Sequence, residues 1–263
     1  MVAALWTWFI ARSYYVHLPT TAPLAMFLAV WIVYAADRLL DVTRADRTGN
    51  PRELEARHRF HAQHRRAFTA GISIALIALA ALLPLLDPAA LRLYLIEGAL
   101  LAGWLLLLHT TSSAHRLPKE IAVGAFFSAA VFIPTVARNP ALRGQLAPVA
   151  ILFGAVCALN CLFIYAWEHQ ASTNLGTAPH ITTGYALRHL AAFAFTALFF
   201  ASALALFTRN TMGFIAVACA LSLALLLTLD RSRPNLSRIH LRAAADLALL
   251  TPLLLLPLLL ISR

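Results

Sequence analysis

The chain has 263 residues, of which 61% are hydrophobic and only 12% charged, and its mean hydropathy is +0.76. A soluble domain carries about 25% charged residues, so this composition excludes an ordinary cytosolic globule and a disordered chain. Net charge is +10, but the basic residues sit between long apolar runs, which reads as loop charge on a membrane protein and excludes a nucleic-acid module.

A hydrocarbon core of about 30 Å takes about 20 apolar helical residues per crossing. Nine stretches qualify: roughly 2–17, 21–41, 67–86, 89–109, 119–137, 145–168, 186–207, 211–229 and 243–261. The expected fold class is all-α, a polytopic membrane helical bundle of about nine transmembrane helices in a single domain over residues 1–263. The first span is the weakest, because Arg12 and His17 shorten it. A signal peptide is the poorer reading of it: no basic n-region precedes the apolar stretch and no small-residue cleavage site follows. Cys157, Cys161 and Cys219 all lie inside apolar runs and suggest neither a disulfide nor a zinc framework.

The loops near 42–66, 110–118, 169–185 and 230–242 fall on one side. Of the 21 Lys and Arg, only Arg12, Arg92, Arg138, Arg143, Arg209 and Arg263 belong to the other. The positive-inside rule makes the basic side cytoplasmic, with the N-terminus in and the C-terminus out. A bacterial inner (cytoplasmic) membrane is the expected location. The acidic residues follow the same bias: only Asp87 and Glu97 lie in the opposite half. Polar chemistry is thus expected at the cytoplasmic mouth of the bundle.

Four segments there carry candidate chemistry. The second span ends Tyr34-Ala-Ala-Asp37-Arg38-Leu-Leu-Asp41. Asp37 and Asp41 share a helix face, where two like charges repel unless a cation sits between them. Pairing of each aspartate with Arg38 or Arg44 is the alternative. A polar, turn-rich stretch from Asp41 to Asn50 follows, and Asn50-Pro51-Arg52-Glu53 reads as a helix start. That helix carries Arg57, His58, Arg59, Phe60, His61 and His64. Three-residue steps swing the third histidine about 120° from the first, which disfavours a three-histidine metal site. A basic helix at headgroup level is the plain reading, and an arginine grip on a diphosphate is the functional one.

The sixth span ends Asn160-Cys-Leu-Phe-Ile164-Tyr165-Ala-Trp167-Glu168, with Asn160, Ile164 and Glu168 on one slowly drifting stripe. A helix–helix hydrogen bond from Asn160 and an interfacial Glu168 are the structural alternatives. The loop Thr110 to Arg116 reads as a solvated connector or a diphosphate contact. Asp246 follows Arg242 by four residues, so an intrahelical pair is expected. Glu97 is expected to pair with Arg92 or face the bundle.

Both Asp37–Asp41 and Asn160–Glu168 end a span on the same side, four spans apart. This layout resembles the UbiA-type intramembrane prenyltransferases. The family's first motif, Asn-Asp-x-x-Asp-x-x-x-Asp, is matched by Val33-Tyr34-Ala-Ala-Asp37-Arg38-Leu-Leu-Asp41, which keeps the last two aspartates. Its second, Asp-x-x-x-Asp-x-x-x-Asp, has Asn160, Ile164 and Glu168 in those places. Lys119-Glu120-Ile-Ala-Val-Gly124 resembles the family's basic helix start.

The resemblance implies two four-helix halves around a central cavity. It also implies transfer of a prenyl group from an allylic prenyl diphosphate to an aromatic or other lipid-soluble acceptor, dependent on Mg²⁺. Asp37, Asp41 and Glu168 become the metal carboxylates, with Asn160 a neutral oxygen beside them. Arg38, Arg57, Arg59, Arg116 and Lys119 become diphosphate contacts. Phe126, Phe127, Phe132, Phe163, Tyr165 and Trp167 become candidate tunnel aromatics, simple packing being the alternative for each. The missing motif aspartates leave a second class of function: a catalytically silent prenyl-lipid-binding or scaffold protein on the same fold. Expected partners are the prenyl diphosphate, a lipophilic acceptor and membrane lipids, with no nucleic acid.

Overall fold

The computed structural model describes residues 1–48, 64–110, 119–169, 181–208 and 212–261, with residues 38, 41–48, 109, 169, 260 and 261 described by backbone alone. In chain order the α-helices are α1 (Val2–Ser13), α2 (Thr21–Thr48), α3 (Arg65–Leu82), α4 (Pro88–Thr110), α5 (Lys119–Arg138) and α6 (Arg143–His169). They continue as α7 (Ile181–Arg188), α8 (Leu190–Phe207), α9 (Met212–Arg231), α10 (Arg238–Ala248) and α11 (Pro252–Ile261). No strand occurs among the described residues. Among the described residues, seven segments are long and apolar enough to cross a membrane: 65–85, 88–108, 119–138, 140–168, 190–207, 212–231 and 238–259. Thr21–Asp37 is a shorter apolar stretch. The protein is therefore an all-helical integral membrane bundle.

Three connecting segments meet at one end of the bundle. Leu18 and Pro19 after α1, Leu86 and Asp87 before α4, and Pro134 and Arg138 at the end of α5 line one shallow crevice. Arg138 also reaches Asp87 at 3.6 Å. At the other, basic end, the last turn of α6 is tied to the ends of α9 and α10.

Three expectations need correction. The stretch 2–17 is not a crossing: α1 is a 12-residue helix, about 18 Å long, and ends where Tyr15 takes a left-handed φ of 55°. It is a core element instead, with Trp6, Phe9 and Ile10 wholly buried against α2, α5, α9 and α11. The polar stretch from Asp41 is not a turn. Helix α2 runs on to Thr48, since Asp41 to Thr48 holds no Gly or Pro and the first breaker is Gly49. The expected helix start at Asn50–Pro51 lies outside the described residues. The last span is not continuous either. It turns at Leu249–Thr251 before Pro252 opens α11.

That turn exposes backbone groups that a bilayer cannot hydrate. The side chains of three residues supply them or brace the turn. Trp6 Nε1 donates to the Leu249 carbonyl at 2.8 Å. The Thr251 hydroxyl donates to the Ala218 carbonyl at 2.8 Å and lies 2.8 Å from the Ser222 hydroxyl. A similar repair occurs in α5. Pro134 lacks the N–H that would bond Ala130, and the Tyr94 hydroxyl donates to the Ala130 carbonyl at 3.3 Å.

Helices α5 and α6 make the closest packing, through small residues. A Cβ on Gly124 would clash with the Gly154 carbonyl oxygen and stand 2.9 Å from the Ala158 Cβ. Ser128 adds a 2.7 Å hydrogen bond to the Ala150 carbonyl. Small residues allow backbones in a membrane to approach and gain dispersion contacts. Gly124→Ala is expected to push the two helices apart and cost about 1–3 kcal/mol. Gly98→Ala, with open space around its Cβ, is the control. Thermal unfolding in detergent micelles measures both.

Candidate functional site at the basic end

Helix α6 carries a polar seam. Its last turns place Trp167, buried, and Glu168, partly buried. Trp167 Nε1 donates to Asp230 Oδ1 at 2.8 Å, fixing the end of α6 against the end of α9. Glu168 Oε1 accepts from Arg242 Nη1 at 2.7 Å, with the two side chains 17% and 25% exposed. A short, charge-assisted contact of this kind holds α10 to α6. It also overturns the expected Arg242–Asp246 pair. The i, i+4 spacing permits that pair, but Glu168 offers Arg242 a partner across the helix interface.

Two turns deeper, Asn160 is 5% exposed, and its Oδ1 has no hydrogen-bond partner among the described residues. The expected helix–helix hydrogen bond from this oxygen is therefore not made there. An orphaned buried carbonyl is uncommon and marks a place where a donor or cation would be welcome. Its hardness suits Mg²⁺, which takes oxygen ligands and keeps water and substrate phosphate in its shell.

On α5, the Thr183 hydroxyl of α7 donates to Glu120 Oε2 at 3.1 Å, which docks α7 on the helix start where Lys119 is exposed. Sequence reasoning had not singled out Thr183. A threonine two residues into a short helix gives no signal of its partner 63 positions away. Asp37 is partly exposed near the basic end of α2. The side chains of Arg38 and Asp41, and all of Arg57, Arg59 and Arg116, lie outside the described residues. So do His58 and His61. Among the described residues no three His, Cys, Asp or Glu side chains gather as a metal site.

Of the candidate tunnel aromatics, Phe132, Phe163 and Trp167 are at most 4% exposed, and Phe163 and Trp167 lie 5.7 Å apart, ring to ring. They pack the core. Phe126, Phe127 and Tyr165 are partly exposed. Glu97 has one orphaned oxygen, on the face of α4 that packs on α5, and so takes the bundle-facing option.

Comparison with protein-family models, with curated proteins and with solved structures gives no match.

Proposed function

We propose that this protein is a membrane prenyltransferase-like enzyme, with a Mg²⁺-assisted diphosphate site at the basic, cytoplasmic end of nine helical segments arranged as two halves around a cavity. The observation that carries the reading is the orphaned, buried Asn160 oxygen two turns below an acidic and arginine-bearing rim. Asp37 and Asp41 from α2, with Asn160 and Glu168 from α6, would hold the metal. When bound, Mg²⁺ would supply Lewis-acid stabilisation of the leaving diphosphate.

The other roles belong to the chain itself. Lys119 and Arg38 are suited to take diphosphate charge, as are Arg57, Arg59 and Arg116. The apolar helices would exclude water from the allylic cation and hold the isoprenoid tail and the lipid-soluble acceptor.

The second reading, a silent prenyl-lipid binder, is favoured by one feature: Arg242 already neutralises Glu168. A single assay separates the two. Purified protein is offered allylic diphosphates of increasing length, with and without Mg²⁺, and diphosphate release and binding are followed. Mg²⁺-dependent release is expected, reduced about 100-fold by Asp37→Ala or Asp41→Ala, the size of loss that follows removal of one electrostatic stabiliser. Binding without release, indifferent to both substitutions, would establish the silent binder instead.

A further inference from the structure

The link from α9 to α10 and the start of α10 carry Arg231, Arg233, Arg238 and Arg242. Arg242 is committed to Glu168. Arg231 and Arg238 are exposed, and neither makes an ion pair among the described residues. The carboxylates at the ends of α9 and α6 are engaged, Asp230 by the Trp167 indole and Glu168 by Arg242. The remaining guanidinium charge of the link therefore faces outward.

The link is short and braced. The Ser232 N–H donates to the Thr228 carbonyl and the Asn235 N–H to the Ser232 carbonyl, each at 3.0 Å. The Ser237 hydroxyl accepts from the His240 N–H at 3.3 Å. The arginines are thus presented from an ordered backbone, and apolar side chains stand among them. Leu236 is 38% exposed and Ile239 77%. Ile239 shares an exposed face of α10 with Ala243 and Leu247, turned away from the buried Leu241, Ala245 and Ala248. Arg238 and Ile239 also open the apolar segment 238–259, so they stand where hydrocarbon meets headgroups. Asp246, the carboxylate on this face, lies eight residues from Arg238, about 12 Å deeper along the helix, which leaves the headgroup level positive.

Such a surface matches a phospholipid twice: acyl chain against Ile239 and Leu247, phosphate against the arginines. A zwitterionic headgroup cancels its own phosphate charge, and an anionic one does not, so the unpaired cations select the anionic lipid. We infer that the α9–α10 link, with Arg231, Arg233 and Arg238 around Leu236 and Ile239, is a docking surface for anionic phospholipid in the leaflet at the basic end. The inference is independent of the Mg²⁺-diphosphate reading.

The test mixes the full chain in neutral detergent with phosphatidylglycerol or phosphatidylcholine of the same acyl chains and counts retained lipid by native mass spectrometry. Wild type is expected to prefer phosphatidylglycerol by about 25-fold or more, about fivefold for each of Arg231 and Arg238. Arg231→Gln with Arg238→Gln should lose most of that preference with an unchanged unfolding midpoint, and lysine at both positions should keep most of it. The preference should also shrink as salt rises. Arg143→Gln, at the opposite end of α6, is the control and should leave it unchanged. Equal retention of the two lipids by wild type, an undiminished preference in the glutamine double variant, or an equal loss in the Arg143→Gln control overturns the inference. Displacement of phosphatidylglycerol by inorganic phosphate at constant ionic strength would overturn it too, by making the surface a soluble-phosphate site.

Discussion

Glu168→Ala is expected to lower both stability and diphosphate release, and a charge swap is expected to rescue only the first. The 2.7 Å contact with Arg242 sits at a partly buried helix interface. Removing the carboxylate strands a guanidinium there. Breaking a fully buried pair costs about 3–5 kcal/mol; with residual solvent contact, about 2–3 kcal/mol is expected here. Exchanging the charges, Glu168→Arg with Arg242→Glu, restores the attraction with its sign pattern reversed. It moves the carboxylate off the α6 stripe that Asn160 shares. If Glu168 serves the diphosphate site, the exchanged protein unfolds near the wild-type midpoint yet releases diphosphate about 100-fold more slowly. Recovery of both properties would assign Glu168 to helix packing alone. Thermal unfolding in micelles and the release assay, run on the same preparations, provide the two readouts.

The contrast between Glu168 and Asp246 marks what a sequence can disclose in this fold. Spacing along one helix is legible, so the polar stripe from Asn160 to Glu168 and the end of the bundle that carries it are both evident from the chain. Partner choice across helices is not. Arg242 has a carboxylate one turn away and another 74 positions distant, and only packing makes the distant one nearer. The apolar segments are legible because a bilayer demands about 20 hydrophobic residues wherever a helix crosses it. The same demand hides interruptions. Residues 248–261 are so rich in leucine that they read as one span, and only Thr251-Pro252 marks the turn. For the same reason α1 looks like a crossing, although its length makes it a plug for the core. The break also bears on function. Discontinuous spans in transporters offer freed backbone groups to ions. Here Trp6 takes the Leu249 carbonyl, and Thr251 and Ser222 bond beside it, which leaves that turn a structural joint.

That joint gives the largest expected loss of stability. Trp6 is wholly buried, its ring centroid is 4.1 Å from that of Phe153, and its N–H meets the Leu249 carbonyl at 2.8 Å. In an unbroken helix Leu249 would accept from Leu253, but the Leu253 N–H turns to Leu250. The carbonyl has no water to fall back on, so the indole is its replacement donor. Trp6→Phe retains most of the aromatic packing and removes the donor, for an expected loss of about 1–3 kcal/mol. Trp6→Ala also opens a cavity beside Phe9 and Phe153 and is expected to cost about 3–5 kcal/mol. Thr251→Val removes the neighbouring bonds to Ala218 and Ser222, so its combination with Trp6→Phe should depart from additivity, because the two side chains brace one turn. Unfolding midpoints of the two single variants and the double variant test this directly. A Trp6→Phe protein as stable as wild type would mean that the indole fills space and that the Leu249 carbonyl is satisfied without α1.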